Sequence, residues 1–277
     1  MHPVLVPCAL MRDIQEGVEH ARGQNERVLP PTTEVMRQEN AQVLVIDLPY
    51  EPEQDVLAEA RNQCMWIVYL DDTGRSHIKA DVVLNTSILA EPSMYPHVPR
   101  KLLGLEHFFL ATEDALLCDQ HNHPEHNKTA DSAKHKIHSM RVVMTFGGSD
   151  PTGLTINVLA AIKRLHLPLS LSIVLGPGFA STDEIRVIAE QIDARVLVAP
   201  QRLLPILSEA DLVICAGGRT LYECATLGLP VLAVASTPEE AKSVRAFANR
   251  GLIHAGLETW DENSFTKELK KICTVRP

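Results

Sequence analysis

Cys215-Ala-Gly-Gly-Arg-Thr-Leu-Tyr-Glu-Cys-Ala-Thr-Leu-Gly-Leu-Pro230 follows an apolar run, Asp211 to Cys215, and contains a segment with helical character, Thr220 to Leu227. Its glycines therefore fall between a strand and a helix. Gly217 and Gly218 have no side chains to hold an anion away, and the free N–H groups of a new helix together carry about half a positive charge. Glu223 lies one turn into that helix. There its carboxylate can accept hydrogen bonds from neutral hydroxyls beside a phosphate, and a ribose suits it. A glycine turn before a helix also serves as a plain connection, and a Glu as a solvated surface group. The surrounding chain decides between these readings.

Working outward, Arg141 to Phe146 reads as a strand ending in Gly147-Gly148-Ser149-Asp150-Pro151-Thr152, and Gly153 to Leu165 as an apolar-periodic helix. A second glycine turn thus opens a second helix. Leu169 to Leu175 is a strand, Thr182 to Ile192 a helix, Arg195 to Ala199 a strand and Leu203 to Glu209 a short helix. Pro230 to Ala235 is a further strand, and Glu239 to Arg250 and Glu262 to Ile272 are closing helices. Strands alternating with helices imply right-handed crossovers and a parallel, doubly wound sheet.

The first half is fainter. Pro3 to Pro7 is a brief apolar run, Asp13 to Gln24 is helix-compatible, and Thr33 to Asn40 suits a short helix. Gln42 to Leu48 is a continuous apolar run of the kind buried on both faces of a parallel sheet. Glu53 to Asn62 reads as a helix, Met65 to Leu70 as a strand and Asp81 to Leu84 as another. Asp47, Asp71, Asp72 and Asn85 then fall just past strand ends, where open parallel sheets bind ligands and where ordinary turns also place Asp and Asn. From Glu113 to Met140 periodicity dissolves. The histidines from His121 to His138 form a polar strip without the fixed spacing of a zinc site, so no metal is expected there.

Composition narrows the function. At 277 residues the chain suits two domains of roughly 150 residues each. A net charge of -9 and few aromatic residues argue against a nucleic-acid groove. The six cysteines lack CxxC spacing and suit a reducing cytoplasm, and no run approaches the roughly 20 apolar residues of a membrane span.

Two signatures, Thr145-Phe-Gly-Gly-Ser-Asp-Pro-Thr and the stretch from Cys215 to Pro230, stand together in one Rossmann-like half. With Val45-Ile-Asp-Leu, Leu70-Asp-Asp, Ala80-Asp-Val-Val-Leu-Asn and Leu102-Leu-Gly-Leu-Glu, they give the chain a resemblance over roughly residues 42 to 260. It resembles the UDP-sugar hydrolases of pseudaminic acid biosynthesis, also described as spore-coat polysaccharide proteins, within the GT-B superfamily. That resemblance implies an α/β fold of two Rossmann-like domains with parallel sheets. Residues 1–113 form the N-terminal domain, 114–140 a linker, and 141–277 the UDP-binding domain. Gly217, Gly218, Arg219 and Thr220 would hold the pyrophosphate, and Glu223 the ribose. Gly147, Gly148 and Ser149 would line the interdomain cleft near the phosphates and sugar, and Leu175-Gly-Pro-Gly and Ala199-Pro-Gln would sit near the uracil. The partner implied is a UDP-linked amino sugar, with no cofactor.

The departures bear on chemistry. Family members begin with a strand, a turn of the form Gly-x-Gly-His and a long helix, whereas neither His2 nor His20 sits in a glycine turn. The N-terminal domain is thus expected to lack its first strand, loop and helix. Inverting hydrolysis needs a base opposite the departing UDP, and losing one lowers the rate roughly a hundred- to ten-thousandfold. Tyr50 and Asp72 are the remaining catalytic candidates, Tyr50 lying one residue out of step with the family's Asp-x-Tyr. Ser236 takes the place of a family Asn-Gln pair beside the diphosphate. Three functions stay open: an impaired hydrolase, a glycosyltransferase with a UDP-sugar donor, and a nucleotide-sugar-binding module without catalysis.

Overall fold

The structure is a computed structural model that describes residues 42–47, 54–63, 65–72, 74, 79–111, 114–118, 139–179 and 182–274. These divide into two compact units. One runs to Thr86 and includes Ala90–His107; the other takes Ser87–Leu89 and the chain from Phe108 onward. Tyr50, the histidine strip and the segments expected before Gln42 lie outside the described residues.

In the first unit four parallel strands, β1 (Val43–Ile46), β2 (Trp66–Leu70), β3 (Val82–Asn85) and β4 (Arg100–Leu103), stand side by side in chain order. Helix α1 (Gln54–Asn62) joins β1 to β2. Its Ala60 packs with Ile46, Ile67, Tyr69 and Val83 in one apolar cluster. The expectation that β1 is buried on both faces is corrected here: Val43 and Val45 are 50% and 57% exposed, and Trp66, in register with Val43, is 58% exposed. Among the described residues helical packing covers only the face that carries Leu44 and Ile46. At the far ends of β2 and β3 the buried Tyr95 hydroxyl donates to Asp71 Oδ2 at 2.6 Å and accepts from Asn85 Nδ2 at 2.6 Å. Asp71 also accepts from the Gly74 N–H at 2.8 Å. Of the adjacent pair, Asp71 is therefore committed inward while Asp72 is exposed.

The second unit holds a six-stranded, wholly parallel sheet: β5 (Met140–Thr145), β6 (Leu169–Leu175), β7 (Arg195–Val198), β8 (Leu212–Cys215), β9 (Val231–Val234) and β10 (Ala255–Leu257), ordered β10-β9-β8-β5-β6-β7. The helices are α2 (Leu154–Leu165), α3 (Asp183–Glu190), α4 (Leu204–Ser208), α5 (Arg219–Thr226), α6 (Pro238–Asn249) and α7 (Glu262–Thr274). Alternate strand residues such as Met144, Ile173, Ile214 and Val234 pack with Val158 and Ile162 of α2, Ile185 of α3 and Phe265 of α7. The residues between them, Val143, Val213, Val231 and Ala233, are buried too, and α5 lies against β8 and β9 with α6 against β9. Both faces of the central strands are thus covered, which is why β8 and β9 read as unbroken apolar runs.

The strand order matters most. From β5 the chain steps through β6 to β7 on one side, then returns to place β8 on β5's other flank. Neighbouring connections therefore part company between β5 and β8, and such a switch opens a crevice at the carboxyl ends of the strands. Both glycine turns leave the sheet there.

Candidate functional site

Each turn is shaped by what lies behind it. Gly147 has φ 82°, a left-handed conformation natural to glycine. Gly176, just past β6, lies so near that a Cβ on it would fall 2.4 Å from Gly148 Cα and 2.7 Å from Gly147 O. The Gly178 N–H also donates to Gly148 O at 2.8 Å, so four glycines make one close backbone contact. On the other turn, a Cβ on Gly217 would meet Glu240 O at 2.7 Å and Val244 Cγ2 at 3.0 Å. Gly217 is needed for α6 to pack, a reason its sequence context did not disclose.

The helices behind the turns begin differently. Asp150, with φ 43°, accepts from the N–H groups of Leu154 at 3.0 Å and Thr155 at 2.7 Å, so the start of α2 already holds a carboxylate. Helix α5 has Gly218 as its N-cap and no side-chain cap. Its first-turn dipole stays available. Helix α6 is closed by Thr237, whose hydroxyl accepts from the Glu240 N–H at 3.2 Å, while Glu240 accepts from Ser236 N at 2.8 Å and from Ser236 Oγ at 2.5 Å. This variant of a capping box occupies the Ser236 hydroxyl.

A cavity of about 270 Å³ opens at the switch between β5 and β8. Thr145, Gly147 and Gly148 form one wall, and Arg219, Thr220 and Glu223 of α5 another; Gly176, Pro177, Ala199, Pro200 and Leu203 close the side toward β6 and β7. Ala199 has φ 44° and donates its N–H to Leu175 O at 2.8 Å. A non-glycine residue in the left-handed region costs about 1–2 kcal/mol and is a recurrent feature of ligand sites.

The cavity thus brings together Gly147, Gly148, Arg219, Thr220 and Glu223. Ser149, Gly217, Gly218 and Ser236 lie outside its lining, although Gly217 and Gly218 form the turn that delivers α5 to it. Asp72 belongs to the first unit.

Glu223 is nearly buried at 9% exposure, and its Oε1 stands 3.3 Å from Arg219 Nε. Burial pushes its carboxyl above the usual range; the Arg219 guanidinium pulls it down, and the Asp114 carboxylate adds to the rise. Asp114 opens a helical stretch over 114–118, inside the region expected to lack periodicity, and it accepts from Arg202 Nε at 3.2 Å. Arg219 also donates from Nη2 to Phe109 O at 3.1 Å. Sequence reasoning missed Phe108, Phe109, Thr145 and Asp114. Thr145 could have been found from its place at the end of the strand before Gly147; the others carry no local signal.

Each unit is a wholly parallel α/β sheet, and the chain matches solved structures of the GT-B fold. The MurG of Acinetobacter baumannii matches with a TM-score of 0.55 at 14% identity over 87% of this chain and 67% of that one. The UDP-GlcNAc 2-epimerase of Neisseria meningitidis, solved bound to UDP-GlcNAc, matches with a TM-score of 0.57 at 13% identity over 88% and 70%. The kitacinnamycin glycosyltransferase matches with a TM-score of 0.55 at 11% identity over 98% and 76%. Among curated proteins, an uncharacterised protein of Methanocaldococcus jannaschii is 24% identical over 206 residues, 69% of this chain. The spore coat polysaccharide biosynthesis protein SpsG of Bacillus subtilis is 25% identical over 132 residues, 47% of this chain. These alignments span 39% of the length of each of those two relatives. No family model matches the chain. Among the described residues no helix is long and apolar enough to cross a membrane, and no group of three or more His, Cys, Asp or Glu is placed to hold a metal ion.

Proposed function

We propose that this protein binds a UDP-linked amino sugar in the cavity of its second unit and transfers the sugar to water, releasing UDP. The observation that carries this reading is the uncapped N-terminus of α5 facing a cavity that also holds Glu223 and the bare backbone of Gly147 and Gly148. The first-turn N–H groups of α5 and the Thr220 hydroxyl suit a diphosphate. Glu223 suits the ribose hydroxyls. The apolar side formed by Pro177, Ala199, Pro200 and Leu203 suits a uracil ring. The role of SpsG in spore coat polysaccharide biosynthesis fits a substrate of this kind. In the step itself the anomeric C–O bond to UDP breaks, a new C–O bond to water forms on the opposite face, and the water proton passes to a base. Tyr50 and Asp72 are the candidates for that base.

A second reading, transfer of the sugar to an organic acceptor, is favoured by the fold shared with the kitacinnamycin glycosyltransferase. Incubation with UDP-sugars, followed by assay of free UDP and reducing sugar with and without acceptors, separates the two. Release in water alone supports hydrolysis, and release that needs an acceptor supports transfer.

The binding claim has its own test. Glu223→Ala removes charge-assisted hydrogen bonds worth about 1.5–3 kcal/mol, so UDP affinity measured by calorimetry should fall at least about tenfold. Unchanged affinity sinks the assignment. The pH dependence has two signs. Because the carboxyl is raised in the folded protein, protonating it favours the folded state, so the stability it contributes is present at low pH and is lost as pH rises through its folded value. UDP affinity should run the other way, weakening as the pH falls and the acceptor is neutralised.

A further inference from the structure

We infer that Arg219 serves the nucleotide through Glu223, as the counter-ion that keeps that carboxylate charged and aimed at the ribose, and does not grip the diphosphate. This rests on the UDP-sugar reading above and deepens it. The guanidinium is already spoken for on three sides. Its Nε faces Glu223 Oε1 at 3.3 Å, and its Nη2 donates to Phe109 O at 3.1 Å. Its carbon stands 5.0 Å from the centre of the Phe108 ring and 5.8 Å from that of Phe109, within the range of cation–π attraction.

The platform under it is held in turn. Phe108 stacks on Tyr222 with ring centres 5.5 Å apart, and Tyr222 meets Phe247 edge to face at 4.9 Å. The Tyr222 hydroxyl accepts from the Ile88 N–H at 3.2 Å. None of Phe108, Phe109 and Tyr222 lines the cavity, yet together they decide where the guanidinium sits. A swing of Arg219 toward a phosphate would break its bond to Phe109 and leave Glu223 buried without its partner, a costly state for a carboxylate. Asp114 from the helical stretch over 114–118 is the other charge acting on Glu223, and its own partner is Arg202. Glu240 of α6 points its carboxylate toward the Gly218 turn, so no cation other than Arg219 stands on α5 or α6 beside this carboxylate among the charges described. Without Arg219 the Glu223 carboxyl is neutral over more of the pH range and accepts less well from a hydroxyl.

The test compares UDP with 2′-deoxy-UDP. Both carry the same diphosphate, so its own titration cancels in the ratio of affinities, and only UDP offers both ribose hydroxyls, 2′-deoxy-UDP keeping the 3′-hydroxyl alone. Calorimetry on the wild-type chain, Arg219→Ala and Arg219→Lys is run at about pH 5 and about pH 8, because a raised carboxyl is protonated more at the lower value than at the higher. Arg219→Ala should lower UDP affinity about fivefold and that of 2′-deoxy-UDP, which keeps one hydroxyl, clearly less, with the deficit larger at the lower pH. Arg219→Lys should remove most of that pH-dependent deficit, because the charge returns without the planar fork. Arg219 is more than half exposed, so unfolding is not expected, and melting temperatures check it. An equal loss for both nucleotides overturns the inference in favour of a grip on the diphosphate, and no loss for either overturns it as well. A wild-type protein that binds neither nucleotide overturns the UDP-sugar reading itself, and the inference with it.

Discussion

The turns after β5 and β8 share a sheet, a glycine pair and a helix start, yet their helix N-termini are filled in opposite ways. Behind Gly147 and Gly148, Asp150 folds back onto the first N–H groups of α2 and neutralises that end of the helix from within. Behind Gly217 and Gly218, α5 has no side-chain cap and its first turn faces the cavity. One turn contributes bare backbone as a wall, and the other contributes the electrostatics. An intramolecular carboxylate at a helix start leaves little dipole for a ligand, so glycine content alone does not make an anion site.

The largest effect should come from what backs each turn. Gly176→Ala drives a Cβ into the backbone of Gly148 and should cost about 3 kcal/mol in chemical denaturation. Gly217→Ala should cost about 2 kcal/mol, since the Glu240 and Val244 side of α6 has to shift. Gly148→Ala, with nothing within 4 Å of the new atom, is the matched control. Equal stability for Gly176→Ala and Gly148→Ala would show that the turn after β5 is not held by its neighbour.

Uncapping α2 sharpens the contrast itself. Asp150→Ala should lower stability by about 1 kcal/mol, the usual loss for a helix cap, with UDP affinity within twofold of wild type. A loss of affinity as large as that of Glu223→Ala would mean both helix starts hold the nucleotide, and the comparison would fail. The smallest effect lies one residue inside α2. Thr155 Oγ1 is buried without a hydrogen-bond partner among the described residues, so Thr155→Val should leave the melting temperature unchanged or raise it by the equivalent of up to about 1 kcal/mol. A clear loss of stability would reveal a partner for that hydroxyl.

Much of the second unit was legible in the chain. Leu169 to Leu175 is a strand with those bounds, and α2, α3, α5, α6 and α7 match their expected ranges to within about two residues at either end. The reason is physical: strands buried on both faces are dominated by apolar residues, and the helices between them keep an apolar stripe. Strand β4, Arg100-Lys-Leu-Leu103, was missed because two of its four residues are charged and its place is set by backbone pairing to β3. Strand β10 was missed because Ala255-Gly-Leu257 is too short to show a period. Both were invisible to periodicity, since hydrogen bonds to a neighbour leave no mark on side-chain order.

The sequence by itself determined the alternation of strands and helices, the two glycine turns and the placing of Glu223 one turn into α5, because each is a local matter of chain conformation and apolar period. Only the tertiary structure decided that β8 returns beside β5, so that turns some seventy residues apart share one cavity, and that Asp150 closes one helix while α5 stays open. It also decided that Arg219 rests between Glu223 and the two phenylalanines. Such contacts join residues distant in the chain, and they form only when packing and strand order bring them together.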